Sequence, residues 1–328
     1  MDFTANDIFN INSKERFNEL ALQVFKHQYQ HNKVYQNWCS LLKTEINRVQ
    51  SIDQIPFLPI ESFKSHRVIC EDKSADEIIF TSSSTTSQIP SRHHVLDISI
   101  YKQSFSKGFE LFYGKANEYC ILALLPGYLE RKGSSLVFMV DELIKQSDHE
   151  LSGFYLNQIQ ELKSKIERLK QSGQKTMLWG VSYALLDLCG EVHLNENFIV
   201  IETGGMKGNR AELSKSELHE QLKAGFGIKH IHSEYGMTEM LSQAYSKSDG
   251  IFQAPPWLQF KIREINDPLH RATENKTGGI DVIDLTNFNS CSFIATKDLG
   301  RINERGLQLM GRYDVSDVRG CNLMYPGL

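Results

Sequence analysis

Residues 198–205 read Phe-Ile-Val-Ile-Glu-Thr-Gly-Gly, an apolar run that stops at a pair of glycines. Residues 198–202 have the length and character of a strand, and Gly204-Gly205 closes it. The same grammar continues outward. On the amino side, 176–181 predicts a strand and 183–189 a helix. On the carboxyl side, 214–223 predicts a helix, with Ser214 and Glu217 at capping-box spacing. Residues 228–232 then predict a strand running into Glu234-Tyr235-Gly236. Further out, 119–125 (YCILALL) reads as a buried strand closed by Pro126-Gly127. Residues 156–170 read as a charged amphipathic helix stopped by Gly173. Strands of about five residues separated by helices indicate βα units and a mainly parallel sheet, so the fold class is α/β.

The flanks differ. Residues 14–29 follow the possible cap Ser13 with helically spaced Phe17, Leu20, Val24 and Phe25. A second such segment, 34–46, carries Trp38, Leu41 and Leu42. Pro56 and Pro59 break that pattern. Beyond Ser246 the sequence turns to short alternating segments (WLQFKIREI, GGIDVIDL, CSFIAT, GLQLMGR), the texture of a smaller antiparallel region.

The length of 328 residues suits about two domains, or one large domain with subdomains. A hydrophobic content of 41% is enough for a sizeable core and argues against disorder. A net charge of −4 argues against nucleic acid or an anionic membrane as the partner. The six cysteines (39, 70, 120, 189, 291, 321) stand at least 30 residues apart, without metal-ligand spacing. Such scattered thiols fit a reducing cytosol. The polar, acidic start MDFTANDIFNIN is not a signal peptide, and no apolar run approaches the ~20 residues of a membrane span. A soluble cytoplasmic protein is the expectation.

Three segments can carry chemistry. Residues 80–92, FTSSSTTSQIPSR, follow a strand signal. Hydroxyls and exposed amides there can cradle a polyphosphate, with Arg92 adding a positive charge; the same run also reads as a polar linker. Residues 232–239, HSEYGMTE, follow another strand signal, where open α/β sheets gather ligands. Tyr235 offers a face for a purine, Thr238 a donor for phosphate and Glu239 an oxygen ligand for Mg²⁺. The alternative is a plain strand–turn–helix junction with Gly236 as the turn. Thr296-Lys-Asp298-Leu-Gly300 precedes Gly311-Arg312, where an acid can accept ribose hydroxyls and an arginine can meet phosphate. A hairpin with a surface ion pair describes the same spacing. His230 and His232 would share a strand face, which makes a metal site conceivable, although spacing identifies no third ligand. Cys321 reads either as a small buried hydrophobe or, beside Arg319 near the C-terminus, as a reachable thiolate.

In this order the segments resemble the adenylate-forming superfamily of acyl-CoA synthetases, phenylacetate–CoA ligases and luciferases. Residues 81–90 look like its TSGTTGxPK loop, and 235–239 match its YGxTE. Glu202-Thr-Gly204-Gly205 is similar to its adenine loop, 296–300 to TGDLG, and 311–320 to GRxDD…G. Within the superfamily, Arg319-Gly320-Cys321 near the C-terminus resembles LuxE-type acyl-protein synthetases. The resemblance implies the large-domain fold of adenylate-forming enzymes, βα subdomains with a mainly parallel sheet plus a smaller antiparallel region. Since eight residues follow Gly320, it also implies that the mobile C-terminal domain is absent. The implied organisation is 1–75 helical, 76–245 an α/β nucleotide- and acyl-binding body, 246–310 a β-rich subdomain and 311–328 a tail, all one adenylating domain.

The implied activity is ATP- and Mg²⁺-dependent activation of a fatty or other carboxylic acid as acyl-adenylate, then transfer to a thiol. The implied partner is an acyl-CoA reductase or acyltransferase protein. By resemblance, Ser83, Ser84, Thr85, Thr86 and Ser87 hold the β,γ-phosphates, Thr238 the α-phosphate and Glu239 the Mg²⁺. Tyr235, Gly236, Gly204 and Gly205 border the adenine, Asp298 takes the ribose hydroxyls, Arg312 the ribose or α-phosphate, and Cys321 accepts the acyl group. The departures are Ser84 and Ser87 for loop glycines, Lys297 for the glycine of TGDLG and Val315 for the second aspartate of GRxDD. The lysine that the C-terminal domain brings in relatives would need a substitute such as Arg92, Lys207 or Arg312. An acid–CoA ligase of phenylacetate type and a non-catalytic nucleotide-binding scaffold are the competing readings.

Overall fold

A computed structural model of the chain describes residues 2–70, 78–83, 89–127, 130–204, 213–273 and 275–312. Two six-stranded sheets and a small hairpin organise them. The first sheet runs in the order Gly153–Phe154, Cys120–Leu124, Thr176–Gly180, Phe198–Thr203, His232–Tyr235, Ala244–Ser246. All neighbours are parallel except the last pair. Cys120–Leu124 and Thr176–Gly180 are buried at every position, as strands covered on both faces must be.

Alternate residues of these strands feed two cores. Ile121, Ala123, Met177 and Trp179 face one side, with Phe105 and Phe109 of helix Ile98–Tyr113 and Met139 and Leu143 of helix Ser135–Ser147. Leu122, Leu124, Leu178 and Val200 face the other, with Leu162 and Ile166 of helix Ile159–Ser172 and Leu218 and Leu222 of helix Lys215–Phe226. A capping box of Ser214 and Glu217 starts the last helix. Each fully buried leucine or phenylalanine here contributes about 1.5–3 kcal/mol relative to exposure.

The second sheet is antiparallel, ordered Ile251–Phe252, Gly306–Arg312, Phe293–Asn303, Gly278–Asp284, Leu258–Arg263. The N-terminal region adds Leu58–Pro59, which pairs in parallel with Phe293–Asn303. Helix Lys14–His31 starts at the Ser13 cap and buries Phe17, Leu20, Val24 and Phe25. Its Gln28 donates to the carbonyls of Asn287 and Phe288, both at 3.1 Å, and accepts from the Ser292 amide at 3.0 Å. Ile78–Thr81 and Arg92–Val95 form the separate hairpin.

Three sequence expectations are corrected. The strand expected at 228–232 stands at His232–Tyr235, because its partner strand first meets it with Ile201 opposite His232. The helical segment expected over 34–46 ends at Leu41, and Ile46–Arg48 is a separate single turn. No helix follows Tyr235-Gly236; the chain returns as Ala244–Ser246, antiparallel to His232–Tyr235.

Candidate active site

The loop between those last two strands, residues 236–243, lies where the two sheets meet. Gly236 opens it, and a Cβ there would stand 2.6 Å from Glu234 Oε1. Tyr235 reaches across to the second sheet, its hydroxyl donating to Asp298 Oδ2 at 2.8 Å. Its ring is 7% exposed and meets Phe252 and Phe260 edge-on. Burial and the neighbouring Asp298 charge push the Tyr235 phenol far above its ordinary range. Asp298 in turn faces Arg312 in strand register, with Arg312 Nε 3.5 Å from Asp298 Oδ1. A register shift between Leu299 and Gly300 lies beside this pair, as bulges often do next to functional sites.

Glu239 is 5% exposed. Burial raises its pKa, the Ser91 hydroxyl and its own amide lower it, and Arg312 and Asp298 act on it through their charges. Residues from three distant segments, 91, 235–239 and 298–312, thereby share one electrostatic neighbourhood. The Ser91 amide donates to Ser82 Oγ at 2.9 Å and its carbonyl accepts from the Ser82 amide at 3.1 Å, closing the base of the hydroxyl-rich run.

The loop is fixed from below. Asp284 is fully buried; its carboxylate accepts from the amides of Leu241 and Ser242 at 2.8 and 2.9 Å, and from the hydroxyls of Ser242 and Thr286 at 2.6 Å each. Asn287 Nδ2 donates to the Glu239 carbonyl at 2.8 Å, and His93 Nδ1 to the Thr238 carbonyl at 2.8 Å.

A second polar cluster sits at the ends of the parallel strands. Glu202 accepts from Ser233 Oγ at 2.6 Å and pairs with Lys215 and His219. Burial opposes its charge, but Lys215 and these hydrogen bonds prevail and hold its pKa at about 2. Glu234 lies one strand over and accepts from Thr203 Oγ1. There burial prevails over that bond, the Glu202 charge adds to it, and the pKa stands at about 7.

Of the residues expected from sequence, Tyr235, Glu239, Asp298 and Arg312 come together, with Thr238 and Gly236 in the same loop. Gly204 follows Thr203, the last residue of its strand, which pairs with Glu234, so Gly204 lies just past the strand end at the level of Tyr235. It turns at φ +56°, and its carbonyl accepts from Ser182 Oγ at 3.2 Å. Ser83 and Arg92 are exposed on the flanks of the hydroxyl-rich run, with Ser91 and His93 turned inward. Ser84, Thr85, Thr86, Ser87, Gly205, Lys207 and Cys321 lie outside the described residues. His230 and His232 do not share a strand: His230 precedes it, and the His232 ring packs against Tyr113. Among the described residues no three of His, Cys, Asp and Glu cluster as a metal site, and no helix is long and apolar enough to cross a membrane.

Sequence reasoning missed Ser91, His93, Asp284 and Asn287. The available signal was polarity out of place: Asp284, Thr286 and Asn287 end the apolar run of GGIDVIDLTN.

For Mg²⁺, Glu239 would supply one hard oxygen ligand, whose charged form burial disfavours and a cation would restore. Such ions use one or two carboxylates and take their other ligands from phosphates and water, so the residue fits.

Comparison with known proteins gives three findings. The family described as "Acyl-protein synthetase, LuxE" matches residues 7–326. The long-chain-fatty-acid–luciferin-component ligase of Photorhabdus luminescens is 36% identical over 75 residues, 22% of this chain. The match spans 64% of that relative's own length. Among solved structures, a 2-hydroxyisobutyryl-CoA ligase in the postadenylation state aligns with a TM-score of 0.68 at 12% identity, covering 92% of this chain and 68% of that one. ATP-bound MatB from Rhodopseudomonas palustris aligns at 0.53 and 16% identity, covering 71% and 47%. At these identities the structural likeness establishes the fold alone, the mixed α/β fold that these two proteins share with this chain.

Proposed function

The chain belongs to the LuxE acyl-protein synthetase family, and on that premise we propose that it activates a fatty acid with ATP and passes the acyl group to a thiol. The observation that carries the reading is the meeting of Tyr235 and Glu239 with Asp298 and Arg312, two pairs from distant segments, around one loop. The fatty acid is suggested by the name of the Photorhabdus relative.

In the first step a carboxylate oxygen attacks the α-phosphorus of ATP and pyrophosphate leaves. Thr238 would meet the α-phosphate, and Arg312, whose charge already acts on Glu239, would offset phosphate charge. Mg²⁺ held by Glu239 would supply further charge neutralisation there. Ser83 to Ser87 and Arg92 would border the β,γ-phosphates. Tyr235, Gly236, Gly204 and Gly205 would border the adenine, with Asp298 accepting from the ribose hydroxyls. In the second step the Cys321 thiolate attacks the acyl carbon, a thioester forms and AMP leaves. The acyl group then goes to a partner reductase or acyltransferase. Cys39, Cys70 and Cys291, buried as free thiols, support a cytoplasmic setting.

Incubation of the full chain with labelled fatty acid and ATP is expected to label the protein through a hydroxylamine-sensitive bond, and Cys321→Ala to abolish that label. Equal labelling of the variant would refute the cysteine step. Release of label as acyl-CoA on adding CoA would favour the CoA-ligase reading instead.

A further inference from the structure

His93 has no part in the chemistry above, yet it is wholly buried between the two segments that chemistry uses. It lies two residues beyond Ser91, on the strand leaving the hydroxyl-rich run, opposite Phe80. The Phe63 ring meets it edge-on at 5.6 Å. Nδ1 stands 2.8 Å from the Thr238 carbonyl oxygen and Nε2 3.0 Å from Asn287 Oδ1.

The orientation of Asn287 is settled by its other contacts. Its Nδ2 points at the carbonyls of Glu239 and Cys291, at 2.8 and 2.9 Å, and carbonyls only accept. Both ring nitrogens of His93 therefore face acceptors. Burial lowers the ring's pKa to about 4 against both of these contacts, so it is neutral and has a single N–H to offer. Placed on Nδ1, that proton is donated to the Thr238 carbonyl. Together the two side chains hold consecutive backbone carbonyls, Thr238 through His93 and Glu239 through Asn287. Asp284 holds the next amides, those of Leu241 and Ser242.

We propose that His93 is a positioning residue: its Nδ1–H, beside the Asn287 bond to the Glu239 carbonyl, fixes the Thr238–Glu239 backbone relative to the strand Arg92–Val95. The strand that leaves one ATP-contacting segment would then set where the other stands. This rests on the reading of Thr238 and Glu239 as the α-phosphate and Mg²⁺ residues.

The test uses the full chain with His93→Leu, His93→Gln and His93→Asn. Calorimetry gives the Kd of Mg-ATP without acid, pyrophosphate exchange gives kcat and KM, and melting of the unliganded protein reports the fold. An asparagine amide can replace the Nδ1–H, whereas a glutamine amide reaches the Nε2 side. His93→Leu and His93→Gln are expected to weaken Mg-ATP about 10–100-fold, the usual scale for losing a group that orients a ligand. His93→Asn is expected to restore affinity to within about 3-fold of the natural protein, a rescue that a packing role would not produce. The KM for the acid should stay unchanged in all three.

Leucine and glutamine variants that bind Mg-ATP normally, while the natural protein is active, would overturn the positioning role alone. Asparagine and glutamine variants equally impaired would overturn the Nδ1 assignment and the role with it. A natural protein that binds no Mg-ATP would overturn the reading of the site, and this inference falls with it.

Discussion

Two buried carboxylates flank the same loop and are built in opposite ways. Asp284 sits beneath it with five donors, namely the amides of Leu241, Ser242 and Thr286 and the hydroxyls of Ser242 and Thr286. Glu239 sits in the loop itself and receives the Ser91 hydroxyl and its own amide. Burial raises the pKa of both. Among the described residues, the difference in donors separates a carboxylate that holds backbone in place from one that, on our proposal, meets a cation.

The comparison breaks most visibly at Asp284. Asp284→Ala strips the partner from buried amides and hydroxyls together, and should cost about 4 kcal/mol of stability in chemical denaturation. A loss under about 1 kcal/mol would mean that the loop stands without its support.

Glu234 sharpens the contrast as an intermediate case, a buried carboxyl with one hydroxyl donor and a pKa of about 7. Its folded pKa exceeds the ordinary 4.5. Its contribution is therefore complete below pH 4.5, is lost as pH rises to about 7, and stays lost above. That shift corresponds to about 3 kcal/mol, and Glu234→Gln should remove the corresponding fall in melting temperature between those two pH values. Glu202, held at about 2, contributes with the opposite sign, stabilising above pH 4.5 and losing that contribution as pH falls toward 2. A variant whose stability falls with pH as steeply as the natural protein's would show that Glu234 is not the titrating group.

The smallest expected change in free energy is at Glu239, and it should appear in rate and not in stability. Glu239→Gln is expected to slow acid-dependent pyrophosphate exchange about 100-fold, or ~2.7 kcal/mol, while leaving the melting temperature unchanged or slightly higher. If it melts early, as Asp284→Ala should, the two carboxylates are alike and the distinction fails.

Much of this was readable before any coordinates. The unbroken apolar run at 120–124 announces a strand covered on both faces, the Met-Leu-Trp of 177–179 marks a second strand, and capping residues mark where the helix after Ser214 begins. Tyr235, Glu239, Asp298 and Arg312 were legible because each has a side chain suited to nucleotide chemistry in an ordered set of motifs. Ser91, His93, Asp284 and Asn287 were not, because their roles depend on partners far along the chain. His93 meets Thr238 across 145 residues and Asn287 across 194. The strand at His232–Tyr235 starts four residues later than local apolarity predicts for a related reason. Its start is set by where the neighbouring Phe198–Thr203 strand can pair with it, a tertiary fact that local apolarity does not encode.

The Gln28 side chain carries a consequence for how the chain is made. It closes its hydrogen bonds on Asn287, Phe288 and Ser292, between 259 and 264 residues later. At the ~5–20 residues per second of synthesis, the first long helix leaves the ribosome roughly 10–50 s before the turn that it grips. Through that interval its apolar face, Phe17 to Phe25, lacks the Phe293 ring that packs on Phe25 in the finished fold. A nascent chain is then exposed to aggregation or chaperone capture until the segment 287–293 has emerged, and cooling or slowing translation lengthens that window.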